Sequence, residues 1–350
     1  MTAGRRLLAA WCGLLAVVSC GPQAAEARPQ ARCGSPADQY VCAQAGDLVY
    51  RGHTLRLTGA TLYPDVALGG RVLRGRAWAS GAAEFRTYID QWLDLAHDVG
   101  LNTIRPTDYF AGVTDWHNAT MWRNLDYVVS GAEARHMFVI VDLSAYRDML
   151  RRSGRFAYDP ATWAPLLDFV GSRYASSSAI AYYAVAGEIE PPNGSSAGRA
   201  TSDQYLAFFR SAIARLHSAD HGNHLVSTGG LSHLDVSSGV PWQSLFALPG
   251  ADVAALHVYS DGDRLQSVPA VAAWAAGRQP FVIEEFGFRQ DLGDGPRAAA
   301  FTSLYALGRS KGADGMVFWN LGPELLPNSY DVGPGTPAVW AAVARAGLGG

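Results

Sequence analysis

Lysine is nearly absent from this 350-residue chain: Lys311 stands alone, so the remaining 27 of its 28 basic residues are arginine. Charged residues make up only 17% of the chain, and 28 basic against 31 acidic side chains leave a net charge of −3. So balanced a charge lacks the basic footprint that nucleic-acid binding requires, and no nucleic-acid partner is expected. The body of the chain has no uncharged run of the ~18 residues or more that would signal a membrane-spanning helix. There is no C-x-x-C, no H-E-x-x-H and no tight His/Cys cluster, so neither a bound metal nor a cofactor is expected. What is present is a 49% hydrophobic, glycine-rich chain with 11% aromatics, the composition of a well-packed globular protein.

The first residues read as an export signal. Arg5 and Arg6 precede an apolar run from Leu7 to Val18 that is too short to span a bilayer. Two processing sites compete. Val17-Val18-Ser19-Cys20 resembles a lipobox and would place a lipid on Cys20, whereas Ala25-Glu26-Ala27 fits ordinary cleavage. The expectation is an exported bacterial protein, either a surface lipoprotein or freely secreted, touching membrane only through that lipid. Residues 1–27 are then the signal, 28–50 a tether and small hairpin, and 51–350 the main domain. Export brings oxidising conditions, and the short loop between Cys33 and Cys42 favours a disulfide.

Past residue 50, short β-branched runs alternate with amphipathic stretches. Strands are expected at Leu55–Tyr63, Asn102–Thr107, Phe138–Ser144, Ala181–Glu188, His224–Thr228, Val253–Tyr259, Phe281–Phe286 and Met316–Leu321. Helical stripes lie between them: Tyr88, Trp92, Leu93 and Ala96 on one, and Leu206, Phe209, Ile213 and Leu216 on another, with Ser202 as N-cap. Eight βα units predict an α/β fold, a single (β/α)8 TIM barrel with a short N-terminal extension and no internal repeat. A monomer is expected.

Such barrels carry their chemistry at the carboxyl ends of the strands. Strand four runs into Glu188 and Glu190, and strand seven ends in Glu284 and Glu285. Alternation allows only one of Glu284 and Glu285 to face the barrel interior, while Glu188 and Glu190 share parity and spacing does not choose between them. Two opposed carboxylates are the minimum apparatus for cleaving a glycosidic bond, one as proton donor and one ionised. Arg105 ends strand two, His257 and Tyr259 end strand six, and Trp319 ends strand eight as a flat face for a sugar ring. Gly194-Ser-Ser196-Ala-Gly198 matches a serine-hydrolase string but follows Pro191-Pro192 in an expected loop rather than a strand-to-helix turn.

With these residues the chain resembles glycoside hydrolase family 5, the cellulase and β-mannanase family of the retaining clan A β-glycosidases, from Arg56 to about Ala344. Leu101-Asn-Thr-Ile-Arg105, His257-Val-Tyr259, Ile283-Glu-Glu285-Phe-Gly287 and Gly315-Met-Val-Phe-Trp319 look like that family's segments on strands two, six, seven and eight. The resemblance implies that Glu285 is the nucleophile and Glu188 the acid/base. It implies that Arg105, His257 and Tyr259 orient Glu285, that Trp319 floors the sugar, and that the two carboxyls lie about 5–5.5 Å apart. The implied substrate is a β-linked polysaccharide or oligosaccharide, and Leu125-Asp-Tyr127 with Ile-Glu-Glu285 leans towards the mannanase branch. Three positions depart from the pattern: Gly187 replaces the asparagine before the acid/base, Ile189 the proline after it, and Ser144 a histidine after strand three. Loss of the asparagine keeps a second reading open, a catalytically silent barrel that binds glycan; a transglycosylase using the same residues is a third.

Overall fold

The computed structural model describes residues 33, 39–68, 71–74, 76–189, 199–231, 239–323 and 329–347. The signal segment with Cys20, and Glu190 with the 194–198 string, lie outside the described residues.

Eight parallel strands form the barrel: β1 (Leu57–Leu62), β2 (Thr103–Pro106), β3 (Phe138–Asp142), β4 (Ile180–Ala184), β5 (Leu225–Ser227), β6 (Ala254–Val258), β7 (Phe281–Phe286) and β8 (Gly315–Phe318). Sequence neighbours pair from β1 through β5 and from β6 through β8, and β8 returns to β1. Two parallel bridges, Ser227 to Val253 and Leu231 to Leu256, join β5 to β6 and close the ring. All eight expected strands are present. The main difference lies at strand four, which ends at Ala184; an irregular segment continues from Val185 and reaches a positive φ of 54° at Glu188.

Helices wrap the barrel with their apolar stripes inward. The helix Ala83–Asp98 buries Phe85, Tyr88, Ile89, Trp92, Leu93 and Ala96, a three-to-four-residue spacing that makes one continuous face. The helix Ser202–Ala219 is capped one residue earlier than expected. Thr201 accepts the Gln204 amide while the Gln204 side chain accepts the Thr201 amide, a reciprocal box that Ser202 cannot make from inside the first turn. Its buried stripe centres on Tyr205, Phe208 and Phe209, leaving Leu206 half-buried. Among the described residues, no helix is long and apolar enough to cross a membrane.

A small antiparallel sheet, Cys42–Gln44, Asp47–Tyr50 and His53–Thr54, precedes the barrel. Its Val41, Ala43 and Leu48 pack against Leu57, Phe138, Leu225, Val253 and other inward residues at the amino-terminal end of the strands. Asp314 ties the sheet down by accepting from Leu48 N and from Arg56. Cys33 and Cys42 form a disulfide with their Cα atoms 5.6 Å apart.

Candidate active site

Glu188 is delivered by an irregular segment that follows β4 and runs alongside the chain after β5. Val185, Ala186 and Glu188 donate their amides to Ser227 O, Thr228 O and Gly230 O. This contact is so close that a Cβ on Gly229 would fall 2.2 Å from Ala186 O, and Gly229 sits at φ +100°, so only glycine fits. A left-handed backbone at a non-glycine residue costs about 1–3 kcal/mol. Here it turns the Glu188 side chain, 46% exposed, into the cleft.

Strand β7 breaks the alternation rule. Leu256 pairs with Ile283, but the next residue of β6, His257, pairs with Glu285, leaving Glu284 as the extra residue of a β-bulge. Val282 faces the barrel interior and Ile283 and Phe286 face the helices. Regular alternation would therefore admit Glu284 alone; the bulge brings Glu285 inward beside it. Both carboxylates are buried, Glu284 completely.

Glu285 accepts from Tyr259 Oη at 2.6 Å through one oxygen and from Arg105 Nη1 at 2.8 Å through the other. Burial raises its pKa, and the charges of His257 and Arg105 pull the other way. Donors on both oxygens are what an ionised carboxylate needs. Burial, reinforced by Glu285, keeps Tyr259 protonated and able to donate. Arg105 is itself held from behind by Asp142 at 2.7 Å, which also accepts from Thr107 Oγ1 and from the amide and hydroxyl of Ser144. Burial would raise Asp142, but Arg105 and these bonds outweigh it and hold it below the usual carboxylate range.

His257 lies between the carboxylates. Its Nδ1 donates to Glu188 Oε1 at 3.1 Å and lies 3.6 Å from Glu285, while Nε2 faces Glu284 Oε2 at 3.5 Å. Burial would lower its pKa, but Glu285, Glu188 and Glu284 together push it up to about 10. The same contact works on Glu188: against the burial that would raise it, the hydrogen bond and charge of His257 hold its carboxyl well below the ordinary value.

These groups floor a cleft of about 660 Å³ at the carboxyl end of the barrel. Trp319 forms one wall beside Tyr63, ring centroids 5.1 Å apart. The helix Ser144–Arg152 forms another, through Arg147 and Asp148. The structure thus gathers Glu188, Glu285, Arg105, His257, Tyr259 and Trp319 at one mouth. Sequence reasoning passed over Asp142, Tyr63 and Asp108, and treated Glu284 only as an alternative to Glu285. Asp142 had a readable signal, an apolar strand ending in a carboxylate. Asp108 had none: it lines the cleft at φ +54°, and burial followed by Asp148 pushes its pKa up to about 6.

Oxygen and nitrogen atoms of Glu188, His257 and Glu285 lie within 4.8 Å of one another, close enough in principle to ligate an ion. The donor set does not fit one. Arg105 and Tyr259 already occupy both Glu285 oxygens, and a guanidinium 2.8 Å away opposes a cation.

No protein-family model matches the chain, and no curated protein matches it significantly in sequence. Solved structures do match. An endo-1,4-β-mannanase from Rhizomucor miehei is similar with a TM-score of 0.68 at 15% identity, over 89% of this chain and 100% of that one. An endo-β-1,4-mannanase from Thermotoga petrophila gives 0.64 at 16%, over 85% and 78%. The catalytic domain of the major endoglucanase from Xanthomonas campestris pv. campestris gives 0.57 at 17%, over 89% and 100%. At such identities the likeness is one of architecture: this chain has the (β/α)8 barrel fold on which those glycoside hydrolases are built.

Proposed function

We propose that the protein is a retaining glycoside hydrolase acting on β-linked glycans of the mannan or glucan type. The observation that carries this reading is the pair of carboxylates: an oxygen of Glu188, on the segment after β4, and an oxygen of Glu285, on β7, lie within 4.8 Å at the mouth of the barrel. Retaining enzymes place their carboxyls about 5–5.5 Å apart, whereas inverting enzymes leave about 6.5–9.5 Å for a water. Glu285 attacks the anomeric carbon, and the proton that Glu188 shares with His257 Nδ1 passes through Glu188 to the departing glycosidic oxygen. In the second step Glu188 takes a proton from water, the water oxygen bonds to the anomeric carbon, and Glu285 leaves as carboxylate. Arg105 and Tyr259 hold Glu285 for in-line attack, and Trp319 with Tyr63 offers the apolar face of a sugar its platform. The mannanase and endoglucanase neighbours support the substrate class, and the amino-terminal signal pattern supports action outside the cytoplasm, as a surface lipoprotein or a secreted enzyme.

The test is reducing-sugar release by the chain from Arg28 onward on β-mannans, β-glucans and xylans, with Glu285→Ala beside it. Release by the wild type alone supports the reading and names the substrate. Silence from a folded wild type, with glycan still bound, moves the protein to the glycan-binding reading.

A further inference from the structure

The mechanism above makes no use of Glu284, yet it is a completely buried carboxylate at the site. One of its oxygens accepts from Tyr182 Oη at 2.9 Å and the other from the Gly230 amide at 2.6 Å. That second oxygen, Oε2, is also faced by His257 Nε2 at 3.5 Å and Arg105 Nε at 4.0 Å. Both nitrogens are buried and neither makes a hydrogen bond, so Glu284 is the carboxylate that each one faces. The ring of His257 has little room to turn. A Cβ on Gly230 would lie 2.1 Å from its Cδ2, and one on Gly187 3.2 Å from its Cε1.

We propose that Glu284 is a positioning residue that acts through His257, keeping the ring protonated and turned so that its Nδ1 proton serves Glu188. The inference rests on the glycosidase reading for its consequence in turnover, but its geometry does not. Glu188 and His257 Nδ1 hold one proton between them. As the glycosidic oxygen takes a proton from Glu188, the Nδ1 proton moves onto Glu188 and then to the oxygen. This leaves the carboxylate and a neutral ring whose remaining proton, on Nε2, faces Glu284. In the second step water gives a proton to Glu188 and the pair is restored, so protons balance over the cycle. The charged groups facing the ring are Glu284 and Glu285 from β7, Glu188 from the segment after β4, and Arg105 from β2. Tyr182 acts through Glu284 and Asp142 through Arg105, while Gly187 and Gly230 bring no charge.

The experiment is a ¹⁵N imidazole NMR titration of the full chain, wild type against Glu284→Gln, with the His257 signal assigned by its loss in His257→Gln. The wild-type ring is expected to stay cationic through neutral pH and to titrate about one pH unit or more lower in Glu284→Gln. The alkaline limb of kcat/KM on β-glycan should move down with it, a shift that a merely structural role would not produce. A wild-type ring already neutral at pH 7 overturns the proposal, even if Glu284→Gln fails to fold. So does the same titration in both proteins. A shifted titration in a protein silent on every glycan supports the placement of Glu284 and sinks the glycosidase reading alone.

Discussion

Arg105 meets Asp142 at 2.7 Å in a fully buried ion pair, and its other terminal nitrogen reaches Glu285. Asp142 therefore sets where the guanidinium points, and through it where Glu285 points. Breaking a buried pair by removing one charge typically costs about 3–5 kcal/mol, because the other is left uncompensated. Asp142→Asn should lower the denaturation midpoint by a corresponding amount and lose most activity. An unchanged urea midpoint would show that Glu284 and Glu285 suffice to hold Arg105.

Glu188 and Glu285 should separate by leaving group. Glu188→Ala is expected to lose about 10²–10⁴-fold on natural glycan, the usual worth of general acid catalysis. In kcat/KM it should lose far less on an aryl glycoside whose leaving group needs no proton. Glu285→Ala should be silent on both. Equal losses for Glu188→Ala on the two substrates would remove it from the acid role.

Stability should fall as pH rises above neutrality. The folded-state pKa of His257 is raised from 6.5 to about 10, so the folded protein keeps a proton that the unfolded chain has given up. That contribution is fully present below about pH 6.5 and drains away towards about pH 10. Unfolding free energies measured by urea across this window should decline, and His257→Gln should decline less steeply. Parallel curves would place the slope elsewhere.

Two glycines flank the same ring, yet their alanine variants should differ. A Cβ at Gly230 would collide with the His257 ring and lie 2.7 Å from Glu284, whereas one at Gly187 meets only a tight contact. Gly230→Ala should cost about 1–3 kcal/mol by overpacking and abolish turnover. Gly187→Ala should fold with a near-normal Tm. Thermal melts and glycan assays on the pair decide it, and a Gly230→Ala protein with full activity would mean that the ring moves freely.

The barrel was legible because each strand is a compact, mostly apolar run between amphipathic stretches, and those periods survive in the chain whatever the tertiary detail. The opposed glutamates were legible for the same reason, as carboxylates ending apolar runs. What alternation does not encode is a change of register. Nothing in Phe281–Phe286 marks the bulge, which comes from how β6 and β7 pair rather than from either strand alone. Strand four was read too long because Val185 and Ala186 are as apolar as the strand before them, and only the contact with Gly229 and Gly230 shows that the chain has left the ladder there. Thr201 had a readable signal, the capping-box spacing Thr201-Ser-Asp-Gln204, but Ser202 beside it is an equally suitable cap residue by type.

The bulge in β7 also means that the chemistry of the mouth depends on the length of the backbone as well as on its side chains. Removing one residue ahead of Phe286 would restore even pairing with β6 and leave room for a single inward carboxylate, even with every remaining amino acid unchanged. A lineage could therefore gain or lose this arrangement in one insertion or deletion, with no intermediate substitutions. Scanning mutagenesis, which preserves chain length, would never sample that step.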